Sequence, residues 1–160
     1  MARARPKGFS LIELLVVLVL LGLLTALVAP RFLDTLGRLE ARSTSKKISA
    51  ILRYCRNESV NRNRIYLASF DSNSNVLSIL YASVGDEKPT SERTYPLPRE
   101  MRVEKVDAGR TLLDVSLPSF EFYPNGGSNG GTALVRGGER REYLIQVDFL
   151  TGSVKVEETN

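Results

Sequence analysis

This 160-residue chain has no histidine and only one cysteine, Cys55. Without histidine the commonest general base and the commonest metal ligand are missing. Histidine-dependent triads and zinc sites with a histidine ligand are therefore excluded. One cysteine cannot form a disulfide within the chain. Cys55 falls on an apolar helical face and reads as a buried structural thiol. Acid–base work by carboxylates alone would still be open, but no spaced pair and no nucleophile motif stands out. No catalytic residue, cofactor or metal set is expected.

A basic folded domain is also missing, although the formal charge is +4 and the pI about 9.4. Arg3, Arg5 and Lys7 carry much of that charge. Residues 31–64 hold nine basic and three acidic side chains, whereas residues 65–160 hold ten basic and fourteen acidic ones, a net −4. A nucleic-acid module concentrates basic charge on its folded domain, so nucleic acid is not an expected partner. The glycine-rich run Asn125–Gly131 lacks the Gly-Lys-Ser/Thr ending and the following helix of a phosphate-binding loop. It reads as a flexible connection between strands.

What is present is a block of apolar residues near the start. Leu14 to Ala29 contains no charge over sixteen residues. Counted from Phe9, the run is broken by Ser10 and Glu13 alone, and as a helix it is about 30 Å long, enough for a bilayer core. The basic residues before it place the N-terminus in the cytoplasm. A secretory signal peptide fits poorly: it needs small residues at its cleavage site, and Leu27-Val28-Ala29-Pro30 puts a large residue at −3 and proline after the cut. An ordinary single-pass anchor leaves Glu13 unexplained. A carboxylate in an apolar helix costs about 2.5–3.5 kcal/mol on insertion scales, and no cationic side chain lies at the same depth. A free α-amino group at Phe9, created by a cut after Gly8, would supply the partner.

The residues Lys7-Gly8-Phe9-Ser10-Leu11-Ile12-Glu13-Leu14-Leu15 resemble the class III signal of type IV pilins and type II secretion pseudopilins. The resemblance implies cleavage between Gly8 and Phe9 by prepilin peptidase and N-methylation of Phe9. It implies that Glu13 pairs with the α-amino group of a neighbouring subunit during assembly. Pro30 sits where pilins carry a helix-bending proline. The implied partners are other pseudopilins, met through the N-terminal helix, the prepilin peptidase and the inner-membrane assembly platform.

Beyond Pro30 the pattern stays helical to about Asn63. Ala41, Thr44, Ile48, Ile51, Leu52, Cys55 and Ser59 share one face at spacings of three and four, and Arg42, Lys46 and Arg53 lie roughly opposite. Pro30 and Gly37 weaken the stretch before it, and local unwinding is expected there. The basic stripe reads as a solvated face or as a contact for acidic heads of neighbouring subunits. From Ile65 the period falls to two. Strands are expected over Ile65–Phe70 and Val76–Tyr81, around Met101, Val103 and Val106, over Leu112–Leu117 and over Phe120–Tyr123. The C-terminus reads as a hairpin from Tyr143 through Leu150-Thr151-Gly152 to Val156. Asp86 to Pro98, charged and proline-bearing, reads as a surface loop. The expected fold is α+β and pilin-like, a long N-terminal helix packed on an antiparallel β-sheet head.

Phe120 to Gly131 and Asp148-Phe149-Leu150-Thr151-Gly152 resemble the C-terminal half of GspH/FimT-type minor pseudopilins. The expected organisation is a leader (1–8), a transmembrane and assembly helix (9–29), an amphipathic helix (30–63) and a periplasmic β-rich head (64–160). The implied role is a structural subunit of a type II secretion pseudopilus in the bacterial inner membrane. The alternative is a FimT-like minor type IV pilin that initiates pili or takes up DNA. Some such relatives use arginines in a Gly-Arg-x-Arg stretch, but the matching residues here are Gly152-Ser153-Val154-Lys155. Arg136, Arg140 and Arg141 remain as a weak patch. Major pseudopilins bind calcium near their C-terminus; Asp148, Glu157 and Glu158 are too sparse for a site to be claimed.

Overall fold

The computed structural model describes residues 9–86, 88–98, 101–137 and 141–159, with backbone alone for 27–41 and 141. It forms two compact units, one ending at Leu36 and one beginning at Gly37. The first helix, α1, covers Leu11–Arg62. Ser10 precedes it, and its carbonyl accepts the amides of Glu13 (3.0 Å) and Leu14 (3.2 Å). Serine suits that position, because its carbonyl can begin the helical ladder while its own dihedrals stay outside it. The backbone is helical through Pro30 and Gly37, without the unwinding expected there. The helix stops at Asn63, which takes a φ of 52°, and Arg64 N–H donates to Ser59 O at 3.2 Å. Asparagine tolerates the left-handed region and so can close a helix this way.

In the first unit, the apolar side chains from Leu11 to Leu24 are exposed. Among the described residues no helical stretch is long and apolar enough to cross a membrane. The end of the expected span, 27–29, lies outside the described side chains.

In the second unit, the remainder of α1 buries the expected face. Ile48, Leu52, Cys55 and Ser59 are fully buried, and Thr44 and Ile51 nearly so. Arg42, Lys46 and Arg53 are exposed. Among the described residues eight strands follow: β1 Ile65–Asp71, β2 Val76–Ala82, β3 Thr90–Pro96, β4 Met101–Ala108, β5 Ser119–Phe122, β6 Gly131–Gly137, β7 Arg141–Val147 and β8 Val154–Thr159. They form two four-stranded sheets, ordered β3-β2-β1-β5 and β4-β6-β7-β8, with every pairing antiparallel. One apolar core joins Ile48, Leu52 and Cys55 of α1 to Tyr66, Phe70, Phe120 and Phe122 of the first sheet and to Val135 and Ile145 of the second.

Two sequence expectations change. The surface loop Asp86–Pro98 contains β3, an exposed edge strand on β2. Its side chains are nearly all exposed, so no apolar alternation marks it, and charges and proline are what an edge tolerates. Conversely, Leu112–Leu117 is not a strand. The Leu112 and Leu113 amides donate to the Glu121 carboxylate, at 2.7 and 3.0 Å, so no ladder takes them. Leu113 instead covers the outer face of β1 with Ile65 and Leu67, which is why β1 is buried on both faces.

Candidate functional site

Of the residues expected to act at the N-terminus, Glu13 occupies the first turn of α1. Phe9 is 80% exposed and lies just before the helix; Gly8 lies outside the described residues. Glu13 is the acidic residue of the first turn. That end of a helix carries unpaired amides and partial positive charge, which a carboxylate offsets. Glu13 therefore gains something from its own helix. Among the described ion pairs none includes it. At Pro30 only the backbone is described, and it is helical.

The head offers a second candidate, the turn between β7 and β8. Asp148 Oδ1 accepts the Thr151 amide (2.8 Å) and the Thr151 hydroxyl (2.7 Å). These bonds favour the carboxylate and lower the Asp148 pKa, the Thr151 hydroxyl contributing most. Gly152 N–H donates back to Asp148 O at 2.9 Å. Gly152 has a φ of +59°, and a Cβ there would stand 2.7 Å from Gly126 O, so glycine is required twice over. Arg56 Nε donates to Thr151 O at 2.6 Å, and Arg53 Nη2 to Val154 O at 3.0 Å. The turn is thus held against α1 while Phe149 and Leu150 point outward, 64% and 79% exposed. Among the described residues no cluster of three metal-ligating side chains occurs.

The glycine-rich run proved to be the opposite of a flexible connection. Gly126 to Gly130 are buried. Asn129 donates to Gly109 O (2.8 Å) and Ser119 O (3.0 Å) and accepts the Glu121 amide (2.9 Å). Ser128 donates to Asp148 O at 2.8 Å and accepts the Gly130 amide at 3.0 Å. Glu121 is fully buried and accepts two backbone amides and, at 3.1 Å, the Tyr123 hydroxyl. Sequence reasoning missed these residues. The available signal was a charge between two aromatics in Phe120-Glu121-Phe122, all three of which are buried.

The remaining reactive groups are quiet. Burial pushes the Cys55 thiol up, so it is not a nucleophile. Tyr54 donates to Glu92 Oε1 at 2.7 Å, and that bond, with burial second, raises its pKa to about 12. Arg136 is held by Glu104 at 2.6 Å and by Glu142. Of the expected weak patch, Arg140 lies outside the described residues and the Arg141 side chain is not described.

Comparison with known proteins places these features. Residues 3–29 match the prokaryotic N-terminal methylation motif, and residues 44–151 match the family described as type II transport protein GspH. No curated protein matches the chain. Among solved structures, the chain is similar to the minor pseudopilin EpsH from the type 2 secretion system of Vibrio cholerae. Identity is 10% and the TM-score 0.59, over 74% of this chain and 96% of that one. It is also similar to the type IV minor pilin FimU of Pseudomonas aeruginosa, at 19% identity and a TM-score of 0.54, over 75% of this chain and 90% of that one. At these identities the likeness is one of fold.

Proposed function

The chain belongs to the type II transport protein GspH family, and from that premise we propose how it works. It is a minor pseudopilin of a type II secretion pseudopilus, a structural subunit that assists export of folded proteins across the outer membrane. One observation carries this reading: the methylation motif and the GspH match stand on one chain, in the order anchor then head.

In our reading, residues 1–8 are a leader, 9–29 span the inner membrane, 30–63 form an amphipathic helix and 64–160 sit in the periplasm. Prepilin peptidase cuts between Gly8 and Phe9, and Phe9 is N-methylated. The cut creates a cationic amine at the positive end of a helix, where it is electrostatically unwelcome. Glu13, alone in the apolar run, carries the opposite problem. A buried charge without a partner costs several kcal/mol, and pairing an amine with a neighbour's Glu13 relieves both at once. Docking is then favourable only in one axial register. Pro30 lacks the amide that would close the bond to Ala26, so it marks where the helix can bend or stretch during assembly on the inner-membrane platform.

The head does not favour DNA uptake. Its hairpin lacks arginine after Gly152, and Arg136 is already paired with two carboxylates. Mass spectrometry of the membrane-derived protein should begin at methylated Phe9; an intact Met1 or a start at Pro30 would overturn the processing scheme. Deleting the gene should abolish secretion of folded exoproteins and leave pili intact. The reverse would move the chain to a type IV pilus, the alternative that the fold of FimU allows.

A further inference from the structure

A groove of about 690 Å³ runs between α1 and β8. Lys46, Ser49, Ala50, Arg53 and Asn57 line one wall, and Val156 lines the other. β8 is the edge of its sheet. Hydrogen-bonded pairs alternate with non-bonded pairs along an antiparallel ladder. Asp148 N–H donates to Ser153 O, so the bonded pairs continue at Gln146–Lys155 and Leu144–Glu157 in the observed register. Val154 and Val156 fall on the alternate positions and turn their N–H and C=O away from β7. Arg53 confirms the phase, because it takes Val154 O from that side at 3.0 Å. Val156 is the next position along and presents an amide and a carbonyl to the groove.

Lys46 and Arg53 make the helical wall basic, with Tyr54 and Asn57 beyond them. Arg42, Lys47 and Arg56 lie on the same helix, and no acidic residue intervenes from Arg42 to Arg56. Arg53 and Arg56 bond neutral carbonyls, Lys47 lies over the Tyr95 ring, and the described ion pairs include none of the five. Ser49 and Ala50, small side chains between the cations, leave room for a backbone.

We propose that this groove takes an extended acidic segment from the head of a neighbouring filament subunit, which adds as a strand to the open edge of β8 and sets its carboxylates against Arg42 and Lys46. An open edge demands backbone partners in register and so selects an extended chain. The cations select its charge. Arg53, which already closes Val154, sets where pairing starts. That the segment comes from a filament subunit rests on the function proposed above; the strand addition does not.

The test uses the full chain in detergent micelles and a labelled peptide of alternating glutamate and valine, with a lysine–valine peptide as its counterpart. Fluorescence polarisation should show binding of the acidic peptide only, weakening as salt is added. Lys46→Glu with Arg42→Glu changes only exposed positions and should weaken binding by about tenfold or more. Val156→Pro removes the outward amide at an edge where proline is tolerated, and should weaken binding by about tenfold at low salt as well. Equal binding of the two peptides, or unchanged binding by the double charge reversal, would overturn the charge selection. Unchanged binding by a folded Val156→Pro chain would overturn strand addition. In cells, a photocrosslinker at Ala50 should capture another filament subunit through an acidic strand. If the peptide results hold and no filament subunit is captured, the groove is a strand acceptor for another partner and the assignment to a filament neighbour falls.

Discussion

The region up to Leu36 and the region from Gly37 are built on opposite terms. In the first, apolar side chains are exposed along a helix and, among the described residues, no ion pair includes Glu13. In the second, even polar residues are buried, and Glu121, Asn129 and Ser128 are each held by several hydrogen bonds. The two carboxylates make the contrast plain. Glu121 finds its partners inside its own chain, whereas no ion pair among the described residues includes Glu13, and we propose that its partner is a neighbouring subunit. A region whose groups are satisfied internally is a folding unit; on our proposal the other is an assembly unit.

The strongest way to break that comparison is Glu13→Leu. Insertion and clipping should be normal, because on our proposal the uncharged run from Leu14 to Ala29 holds the membrane by itself. Crosslinking to other pseudopilins in cells should fall by about tenfold or more, as expected when a buried charge loses its partner. Equal crosslinking and secretion would show that Glu13 is not an assembly contact.

Glu121→Ala tests the other side. Two amides and the Tyr123 hydroxyl would lose their acceptor in a buried site, at a cost of about 3 kcal/mol. Glu121→Gln keeps one acceptor oxygen and should cost roughly half as much. Urea unfolding of the full chain in detergent, followed by fluorescence of its six tyrosines in the absence of tryptophan, would read both. Coincident midpoints for all three proteins would remove Glu121 from the fold's support.

A smaller effect is expected in alkali. Tyr54 keeps its proton in the folded chain to about pH 12 because it donates to Glu92, whereas an unfolded tyrosine releases it near pH 10. Between those values the unfolded state binds fewer protons, so stability falls as pH rises. Tyr54→Phe should flatten that decline in the urea midpoint between pH 10 and 12, and an unchanged slope would exclude the Tyr54–Glu92 bond as its source. The weakest expected signal is duplex DNA binding. With a net −4 from Ile65 onward, it should vanish near physiological salt, and sub-micromolar binding there would favour the DNA-uptake role.

Much of this was legible before any coordinates. The buried face from Thr44 to Ser59, β2 and the C-terminal hairpin follow from periods of 3.6 and 2, since each has one face in the core and one in water; β1 was expected too, although both its faces are buried. β3 and β6 were not legible, for different reasons. β3 has almost no buried side chain to betray it. β6 is bounded by Gly131 and Gly137 and alternates Ala133 and Val135 over too short a run. Leu112–Leu117 misled because it is apolar and of strand length, while its amides are taken by a residue eight or nine positions away.

The sequence alone determined the order of long helix and β-rich head, the methylation motif at residues 3–29 and the family to which the head belongs. These depend on residue type and on separations within one element, where geometry is set by the chain itself. Tertiary structure decided that the head is two sheets rather than one. It turned Gly126–Gly130 into a buried joint, and it set an open strand edge beside a basic helical wall. Those outcomes depend on partners far apart in sequence. Arg53 meets Val154 across 101 residues and Asn129 meets Gly109 across 20, and no local pattern encodes such a meeting.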